Sequence, residues 1–162
     1  MSRLLSNIAR LEAQRACLDL AVSMVGDLAG PVLELGLGNG RTYDHLRVRL
    51  PARDIFVFER QVASHPDCVP PPDRLILGDL RETLPAAYAR FPQVAALAHV
   101  DIATHDRAVS ERLAVVVAPM LAALMRRGAV IVSELPMPVA HWRALMVPAE
   151  AAGGRYHMYQ AG

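Results

Sequence analysis

The chain has 162 residues, a formal net charge of +1 and seventeen basic side chains, all of which are arginine. We expect residues 1–162 to form a single domain, because a chain of this length builds one hydrophobic core. The absence of lysine excludes a P-loop nucleotide site and Schiff-base catalysis, and the scattered arginines predict that no nucleic acid is bound.

The cysteines and the apolar segments indicate in which cellular compartment the protein is expected. Cys17 and Cys68 match neither a disulfide framework nor a metal-ligand spacing, which favours a reducing cytoplasm. The longest apolar run, residues 113–125, contains Pro119 and is shorter than the roughly twenty residues of a membrane span. We therefore predict a cytoplasmic protein without a membrane partner, and a buried helix over that run.

An amphipathic helix is predicted within residues 1–29 and should pack on the rest of the domain. Its apolar side chains recur at helical spacing, and Gly26 and Gly30 end the pattern. Arg15 falls on the same face, where a buried guanidinium needs a partner. Three arrangements would satisfy it: an ion pair with Asp19 one turn later, extension of the long side chain to solvent, or binding of a ligand. The apolar positions are Leu4, Ile8, Leu11, Leu18, Val22 and Val25.

From residue 31 onward, short β-rich runs alternate with helical segments, which predicts a doubly wound α/β domain with a mostly parallel sheet. The runs cover residues 31–35, 54–58, 74–77, 94–100 and 129–133. An acid stands at or just past the end of each run, so all five should line one crevice, although each alone also fits a helix cap. The five acids are Glu34, Glu59, Asp79, Asp101 and Glu134.

The first run leads directly into three alternate glycines, Gly36, Gly38 and Gly40. Because glycine has no Cβ, a ligand can approach the main chain there, and a helix over residues 41–50 completes the unit. A dinucleotide site would need glycine at position 41, so Arg41 disfavours a pyrophosphate cofactor. Glu59 ends the next strand, where such folds place a carboxylate that binds a ribose.

The spacing Glu34-x-Gly36-x-Gly38-x-Gly40 resembles the first motif of the class I S-adenosylmethionine-dependent methyltransferases. The similarity continues in register, with Glu59 at the second motif, Gly78-Asp79-Leu80 at the third and Asp101 at the fourth. It is strongest to a small stand-alone bacterial group of unassigned acceptor. The resemblance implies a Rossmann-like fold, S-adenosyl-L-methionine as cofactor and S-adenosyl-L-homocysteine as product.

The resemblance also implies a set of cofactor-binding residues. The ribose would bind Glu59, and the adenine would contact Asp79 and the backbone of Leu80. One arginine, either Arg15 or Arg41, would hold the carboxylate of the methionine moiety. The full expected set is Glu34, Gly36, Gly38, Gly40, Arg41, Glu59, Arg15, Gly78, Asp79 and Leu80.

Two segments depart from the family pattern. Four prolines between Glu59 and Arg74 predict that the crossover helix there is short or missing. After Glu134 we expect only one helix around residues 141–146 and one strand around residues 155–160. The sheet should therefore be truncated at its C-terminal side, and the exposed edge predicts a homodimer.

Methyl transfer by in-line displacement needs mainly positioning, with a general base where the acceptor must lose a proton. Asp101 and His105 are the candidate catalytic residues, while His99 fits a hydrogen-bonded core histidine better. Asp101 and Glu134 alone make a poor cage for a divalent cation, so we predict no metal. Three aromatic residues near the C-terminus fit an acceptor pocket or strand packing equally well. They are Tyr156, His157 and Tyr159.

A small-molecule acceptor is the favoured partner. The segment Asp101-Ile-Ala-Thr104 lacks the proline and aromatic residues that hold a flipped adenine, and it lacks a nucleophilic cysteine for cytosine methylation. Two alternatives to a methyltransferase stay open at this point. One is a catalytically silent regulatory or assembly subunit that binds the same cofactor, and the other is a nicotinamide-dependent reductase.

Overall fold

A computed structural model describes residues 2–152 and 156–162. A single seven-stranded sheet forms the centre of the molecule, with helices on both faces. The helices are α1 (Arg3–Met24), α2 (Arg41–Arg49), α3 (Leu80–Ala87) and α4 (Arg107–Ala122). The strands are β1 (Val32–Leu35), β2 (Ile55–Glu59), β3 (Leu75–Leu77), β4 (Ala95–Val100), β5 (Met125–Ser133), β6 (Trp142–Leu145) and β7 (His157–Ala161).

The strand order across the sheet is β3-β2-β1-β4-β5-β7-β6. Strands β1 to β5 pair in parallel, whereas β7 pairs antiparallel with both β5 and β6. The chain winds from β1 outward to β3 and then returns to β4 on the other side of β1. The doubly wound, mostly parallel sheet predicted from the sequence is confirmed.

The central strands are buried on both faces, which explains their continuous apolar sequences. Alternate side chains of β2 enter two different hydrophobic clusters. Phe56 and Phe58 pack with residues of α3 and α4, while Val57 packs with residues of α1 and α2. The helix predicted within residues 1–29 therefore belongs to the core of the domain. None of the helices in the described residues is long and apolar enough to cross a membrane.

The segment between β2 and β3 has no α-helix, as the prolines predict. It contains two short 3₁₀ turns, Pro66–Cys68 and Pro72–Arg74. Proline has no amide hydrogen and clashes with the preceding helical turn, so the segment stays close to the sheet as a loop. The crossover on this side is therefore short.

The C-terminal part differs from the sequence-based expectation. Residues 142–145 form strand β6 instead of the predicted helix, so both final strands are present and the sheet is not truncated. Cross-strand contacts explain the choice, since the rings of Trp142 and Tyr159 lie 6.0 Å apart and the Tyr159 hydroxyl accepts a hydrogen bond from the Met137 amide. The expected start of the last strand at Arg155 lies outside the described residues. The exposed edge of a truncated sheet, from which a homodimer was predicted, is therefore absent from the described residues.

Arg53 holds the end of α1 against the sheet. Its guanidinium donates hydrogen bonds to the carbonyl oxygens of Val25 and Leu28, at 2.9 and 2.7 Å, and more distant bonds to Gly26 and Gly30. These carbonyls belong to the C-cap of α1 and to the segment that connects α1 to β1, so this one side chain fixes that connection.

We expect Arg53→Ala to lower the free energy of unfolding by about 2 kcal/mol, because several charge-assisted hydrogen bonds are lost. Arg53→Lys should recover less than half of that loss, since an ammonium group cannot form the planar fork. Urea unfolding measures both, with the exposed Arg112→Ala as control. Equal losses in Arg53→Ala and Arg112→Ala would contradict this role.

Candidate active site

A cavity of about 700 Å³ lies beyond the carboxyl ends of β1, β4 and β5, beside the first half of α1. Helix α1, the glycine turn and the ends of three strands contribute its walls. The principal lining residues are Asn7, Arg10, Gln14, Leu37, Gly38, Asn39, Arg41, Thr42, Asp101, Thr104, Glu134, Glu150 and Tyr156. The cavity lies at the predicted edge of the sheet, but the prediction that all five strand-end acids line it is wrong. Asp101 and Glu134 line it, whereas Glu34, Glu59 and Asp79 do not.

The three glycines of the turn have different roles. All have positive φ, at +88° for Gly36, +49° for Gly38 and +81° for Gly40. A Cβ at Gly36 would overlap the carbonyl oxygen of Asp101, and one at Gly40 would overlap Cys68, whereas one at Gly38 would meet nothing within 4 Å. Only Gly38 therefore presents open main chain to the cavity. The other two permit close packing of the turn against its neighbours.

Glu34 does not reach the cavity, contrary to the prediction that it binds the cofactor. Its side chain is fully buried below the turn, where it accepts hydrogen bonds from the Thr42 hydroxyl and from His99. Nδ1 of His99 lies 3.0 Å from both carboxylate oxygens. The acid therefore joins the start of α2 to strand β4, and it supports the turn from below.

His99 is a buried, hydrogen-bonded core histidine, as its sequence position favours. Burial alone would lower its pKa, but the Glu34 carboxylate, helped by Asp101 and Glu134, outweighs burial and raises the pKa above its usual value. Its second ring nitrogen, Nε2, has no hydrogen-bond partner within the described part of the chain. The imidazole and carboxylate thus form a coupled pair under the site.

The Glu59 carboxylate is already fully engaged by main-chain amides. One oxygen accepts from Leu37 at 2.7 Å and Gly38 at 3.3 Å, and the other accepts from Arg60 at 2.6 Å and Gln61 at 3.2 Å. Four such bonds fill the acceptor capacity of a carboxylate. Any further donor, such as a ribose hydroxyl, must replace one of them, and the longest, from Gly38, is the one we expect to yield.

We expect Glu59→Gln to lower the free energy of unfolding by about 2 kcal/mol, because in either orientation its amide nitrogen faces main-chain donors. Cofactor affinity should also fall, by roughly tenfold or more, if the carboxylate binds the ribose. Chemical denaturation and calorimetric titration measure the two effects, with the exposed Glu12→Gln as control. Unchanged stability together with unchanged affinity would contradict both roles.

The acid of the third motif, Asp79, also already has hydrogen-bond partners within the protein. Asp79 caps α3 by accepting a hydrogen bond from the Arg81 amide at 2.9 Å, and it also pairs with the Arg81 guanidinium. Hydrogen bonds from Arg81 hold the pKa of Asp79 far below its usual range. The Gly78 amide donates to the carbonyl of Glu59, so the second and third motifs are adjacent. Leu80, the next residue, is 9% exposed and packs in the core.

Arg15 lies outside the cavity. Its side chain is 60% exposed and pairs with Asp19 at 3.5 Å, and the first turns of α1 leave Leu4 and Ile8 exposed. The second half of the predicted apolar face is buried, and smaller side chains lie beside it in the interior. The buried apolar positions are Ala13, Cys17, Leu18, Ala21, Val22 and Val25. Small residues let the helix approach the sheet closely, which a pattern of large apolar residues did not reveal. Arg41 does line the cavity, at the start of α2.

Of the two candidate catalytic residues, the structure brings only Asp101 to the cavity. Its carboxylate accepts a 3.4 Å hydrogen bond from Gln14, which is itself buried. His105 is exposed, next to Asp106, whose carboxylate caps α4 by accepting from the Val109 amide. The loop that carries His105 therefore forms the entry to α4.

Tyr156 is the aromatic residue that lines the cavity. It is 5% exposed, and its hydroxyl has no hydrogen-bond partner among the described residues. Burial, followed by the charges of Asp101 and Glu134, raises its pKa. Tyr159 instead packs on Trp142. The residues that line the cavity without having been predicted from the sequence include Arg10, Gln14 and Glu150. Arg10 and Gln14 are spaced one helical turn apart, which places them on one side of α1.

A protein-family model described as S-adenosyl-L-methionine methyltransferase matches residues 1–161. The chain belongs to this family. It is also similar to the S-adenosyl-L-methionine methyltransferase of Silicibacter pomeroyi, with 46% identity and a TM-score of 0.95 over 100% of this chain and 99% of that one. No match was found among curated proteins.

Two more distant structures share the methyltransferase fold. The antibiotic-resistance methyltransferase Kmr has 14% identity and a TM-score of 0.54, over 91% of this chain and 93% of that chain. CalS10 from Micromonospora echinaspora, an amino pentose methyltransferase solved with S-adenosylmethionine bound, has 16% identity and a TM-score of 0.51, over 82% and 56%. At this identity the similarity concerns the fold alone.

The methyltransferase uses S-adenosyl-L-methionine as its cofactor, and its residues fit that group. Gly38 leaves open main chain at one end of the cavity, where a Cβ would reduce the space. The same residue's amide contacts Glu59, which links the cavity to the second and third motifs. Family membership favours the enzyme over a silent subunit or a nicotinamide-dependent reductase.

Proposed function

We propose that this methyltransferase transfers a methyl group to a small molecule inside the 700 Å³ cavity. The observation that carries the proposal is the continuity of the cavity from Gly38 to Asp101, Glu134 and Tyr156. A donor at the glycine turn and an acceptor near β5 would then share one cavity. A shared cavity matters because it can hold the two reactants in line.

The residues proposed for the cofactor lie at the β1 side of the cavity and beyond it. Glu59 would exchange a main-chain bond for the ribose, and Asp79 with Leu80 would border the adenine. Arg41 is the better candidate for the methionine carboxylate, because it lines the cavity while Arg15 does not. Gly36, Gly40 and Glu34 would act indirectly, since they shape and support the turn.

When bound, the cofactor supplies an electrophilic methyl group on a sulfonium. The protein's own contribution would be orientation and proton handling. Asp101, held by Gln14, would accept a hydrogen bond from the acceptor's reacting group and so direct its lone pair. Helix α1 closes one wall of the cavity, which limits the size of the acceptor. The volume of about 700 Å³ supports a small-molecule acceptor.

A binding experiment tests the cofactor end. S-adenosyl-L-homocysteine and NADH are titrated into wild-type protein, Arg41→Ala and Arg15→Ala, with heat of binding as the readout. We expect S-adenosyl-L-homocysteine alone to bind, an affinity loss of about tenfold or more in Arg41→Ala, and no loss in Arg15→Ala. Binding of NADH only, or a loss confined to Arg15→Ala, would overturn the assignment.

We further propose a homodimer in a reducing cytoplasm. The exposed apolar residues Leu4, Leu5 and Ile8 at the start of α1 support self-association, and two unpaired cysteines suit a reducing compartment. Light scattering after gel filtration tests the dimer, and Leu5→Glu should convert it to a monomer. A wild-type mass equal to one chain would overturn it.

A further inference from the structure

The two ends of the cavity differ in chemistry. The cavity extends along the ends of strands β1, β4, β5 and β7, in that order across the sheet. It begins at the glycine turn, continues past Asp101 and Glu134, and ends at Tyr156 just before β7. Ser133 pairs with His157 in the antiparallel β5–β7 ladder. Glu134 comes directly after Ser133 and Tyr156 directly before His157, so the two residues lie side by side at the same edge of the sheet. Adjacent strands are about 4.8 Å apart, which separates the two ends by roughly three strand spacings. If the donor occupies the turn, as proposed above, the acceptor faces Glu134 and Tyr156.

Negative charge and an unsatisfied hydroxyl characterise this far end. Asp101 and Glu134 lie on the cavity wall, with Glu150 exposed at its edge. Two arginines also line the cavity, Arg10 on α1 and Arg41 at the start of α2 beside the glycine turn. Within the described ranges none of these carboxylates has an ion-pair partner within 4.0 Å. Among the described residues the buried Tyr156 hydroxyl has no partner at hydrogen-bond geometry, although buried hydroxyl groups are nearly always hydrogen-bonded, and the Arg10 side chain is the nearby group that acts on it.

We propose that the acceptor is a primary or secondary amine that enters as a cation and is methylated on nitrogen. Glu134 binds the ammonium form, and the Tyr156 hydroxyl supplies a further polar contact. Carboxylates attract and hold a cation, whereas they would repel an anionic acceptor such as a carboxylate or phosphate.

The chemistry of the lining residues also favours nitrogen over oxygen. An alcohol must lose its proton to become a strong nucleophile, which needs a well-matched base such as histidine. No histidine lines the cavity in the described residues, since His99 is buried below it and His105 is outside. An amine needs only its free-base form, because the nitrogen lone pair is then available without further activation.

The step balances with the groups named. The bound ammonium first releases one proton to water along the Asp101 side of the cavity. The nitrogen lone pair then forms the new N–C bond while the C–S bond of the donor breaks and sulfur keeps the electron pair. The methylated nitrogen carries the positive charge that the sulfonium lost, so the product leaves as a methylammonium ion and a neutral thioether.

Matched probes test the proposal on the full chain. Tyramine and putrescine are compared with their hydroxyl counterparts tyrosol and butanediol, each added to protein saturated with S-adenosyl-L-homocysteine. Thermal shift reports binding, and tritium transfer from labelled S-adenosyl-L-methionine reports methylation. We expect the amines to raise the melting temperature and to accept label, and the alcohols to do neither.

Variants assign the effect to the far end of the cavity. Glu134→Gln and Tyr156→Phe keep the side-chain shapes, and each should weaken amine binding by about tenfold or more while the affinity for S-adenosyl-L-homocysteine stays within about twofold. The exposed Glu82→Gln serves as control.

Label on the alcohols, or intact amine binding in both variants, would overturn the proposal. Cofactor binding without any response to the amines would overturn it as well, and would leave the cofactor site standing. Failure of the wild-type protein to bind S-adenosyl-L-homocysteine would instead overturn the proposed function itself.

Discussion

Replacing Glu34 by alanine is expected to lower the free energy of unfolding by about 3–5 kcal/mol, because it breaks a buried carboxylate–imidazole pair and leaves His99 alone in the interior. Glu34 and His99 are both fully buried, and the Thr42 hydroxyl also loses its acceptor. Chemical denaturation at pH 7 measures the loss. A change below about 1 kcal/mol would show that the pair adds little to stability.

The same pair predicts a pH dependence with a definite sign. The folded-state pKa of His99 is raised, so its stabilising contribution is complete below the unfolded value of about 6.5 and is lost as pH rises through the folded pKa. The slope can reach about 1.4 kcal/mol per pH unit for one proton. The difference in unfolding free energy between wild type and His99→Gln isolates this contribution.

Glu34→Ala should reverse the sign of that dependence. Without the carboxylate, burial favours the neutral imidazole, so the variant loses stability as pH falls below about 6.5. The double variant Glu34→Ala with His99→Leu removes the isolated imidazole and should recover part of the loss. A double variant no more stable than Glu34→Ala would argue that the lost carboxylate contacts, and not His99, cause the defect.

Replacing Gly36 by alanine is expected to cost about 3 kcal/mol or more, because the new methyl group would overlap the carbonyl oxygen of Asp101. A Cβ is fixed rigidly to the main chain and the oxygen of Asp101 is itself a main-chain atom, so the clash can be relieved only by moving the backbone at the end of β1 away from that at the end of β4. The positive φ of +88° at Gly36 adds strain of about 1–2 kcal/mol.

Gly38→Ala is the matched control, since its Cβ meets nothing within 4 Å. It should retain the fold at a cost of about 1 kcal/mol from its φ of +49°, while it fills space at the cavity and weakens cofactor binding. Thermal unfolding and calorimetric titration separate the two variants. Similar stability losses in both would contradict the assignment of packing to one glycine and ligand contact to the other.

The parallel half of the fold could be predicted because each of its features is local. A buried parallel strand is a continuous apolar run, and the run is followed by an acid or a glycine turn at the crevice. Asp101 and Gly38 could be placed in this way without knowledge of any distant contact. The prolines before β3 likewise excluded a helix from their own chemistry.

The remaining differences depend on contacts between distant segments. Strand β6 is stabilised by the packing of Trp142 on Tyr159 across the antiparallel pair, and the sequence of a four-residue segment does not reveal such pairing. The rotation of α1 depends on which side chains fit the sheet, so Arg15 faces solvent and Arg10 faces the cavity. Glu34 has the motif's spacing, yet its partner His99 is 65 positions away.

The packing of Gly40 on Cys68 makes this enzyme easy to label at one site. Cys17 is fully buried and its pKa is raised to about 11 by burial and by Glu150, so it holds almost no thiolate at neutral pH. Cys68 is partly accessible and touches the end of the glycine turn. A fluorescent maleimide would therefore attach selectively to Cys68, beside that turn. No cysteine would need to be added or removed first, and the attached dye would report cofactor exchange by its fluorescence.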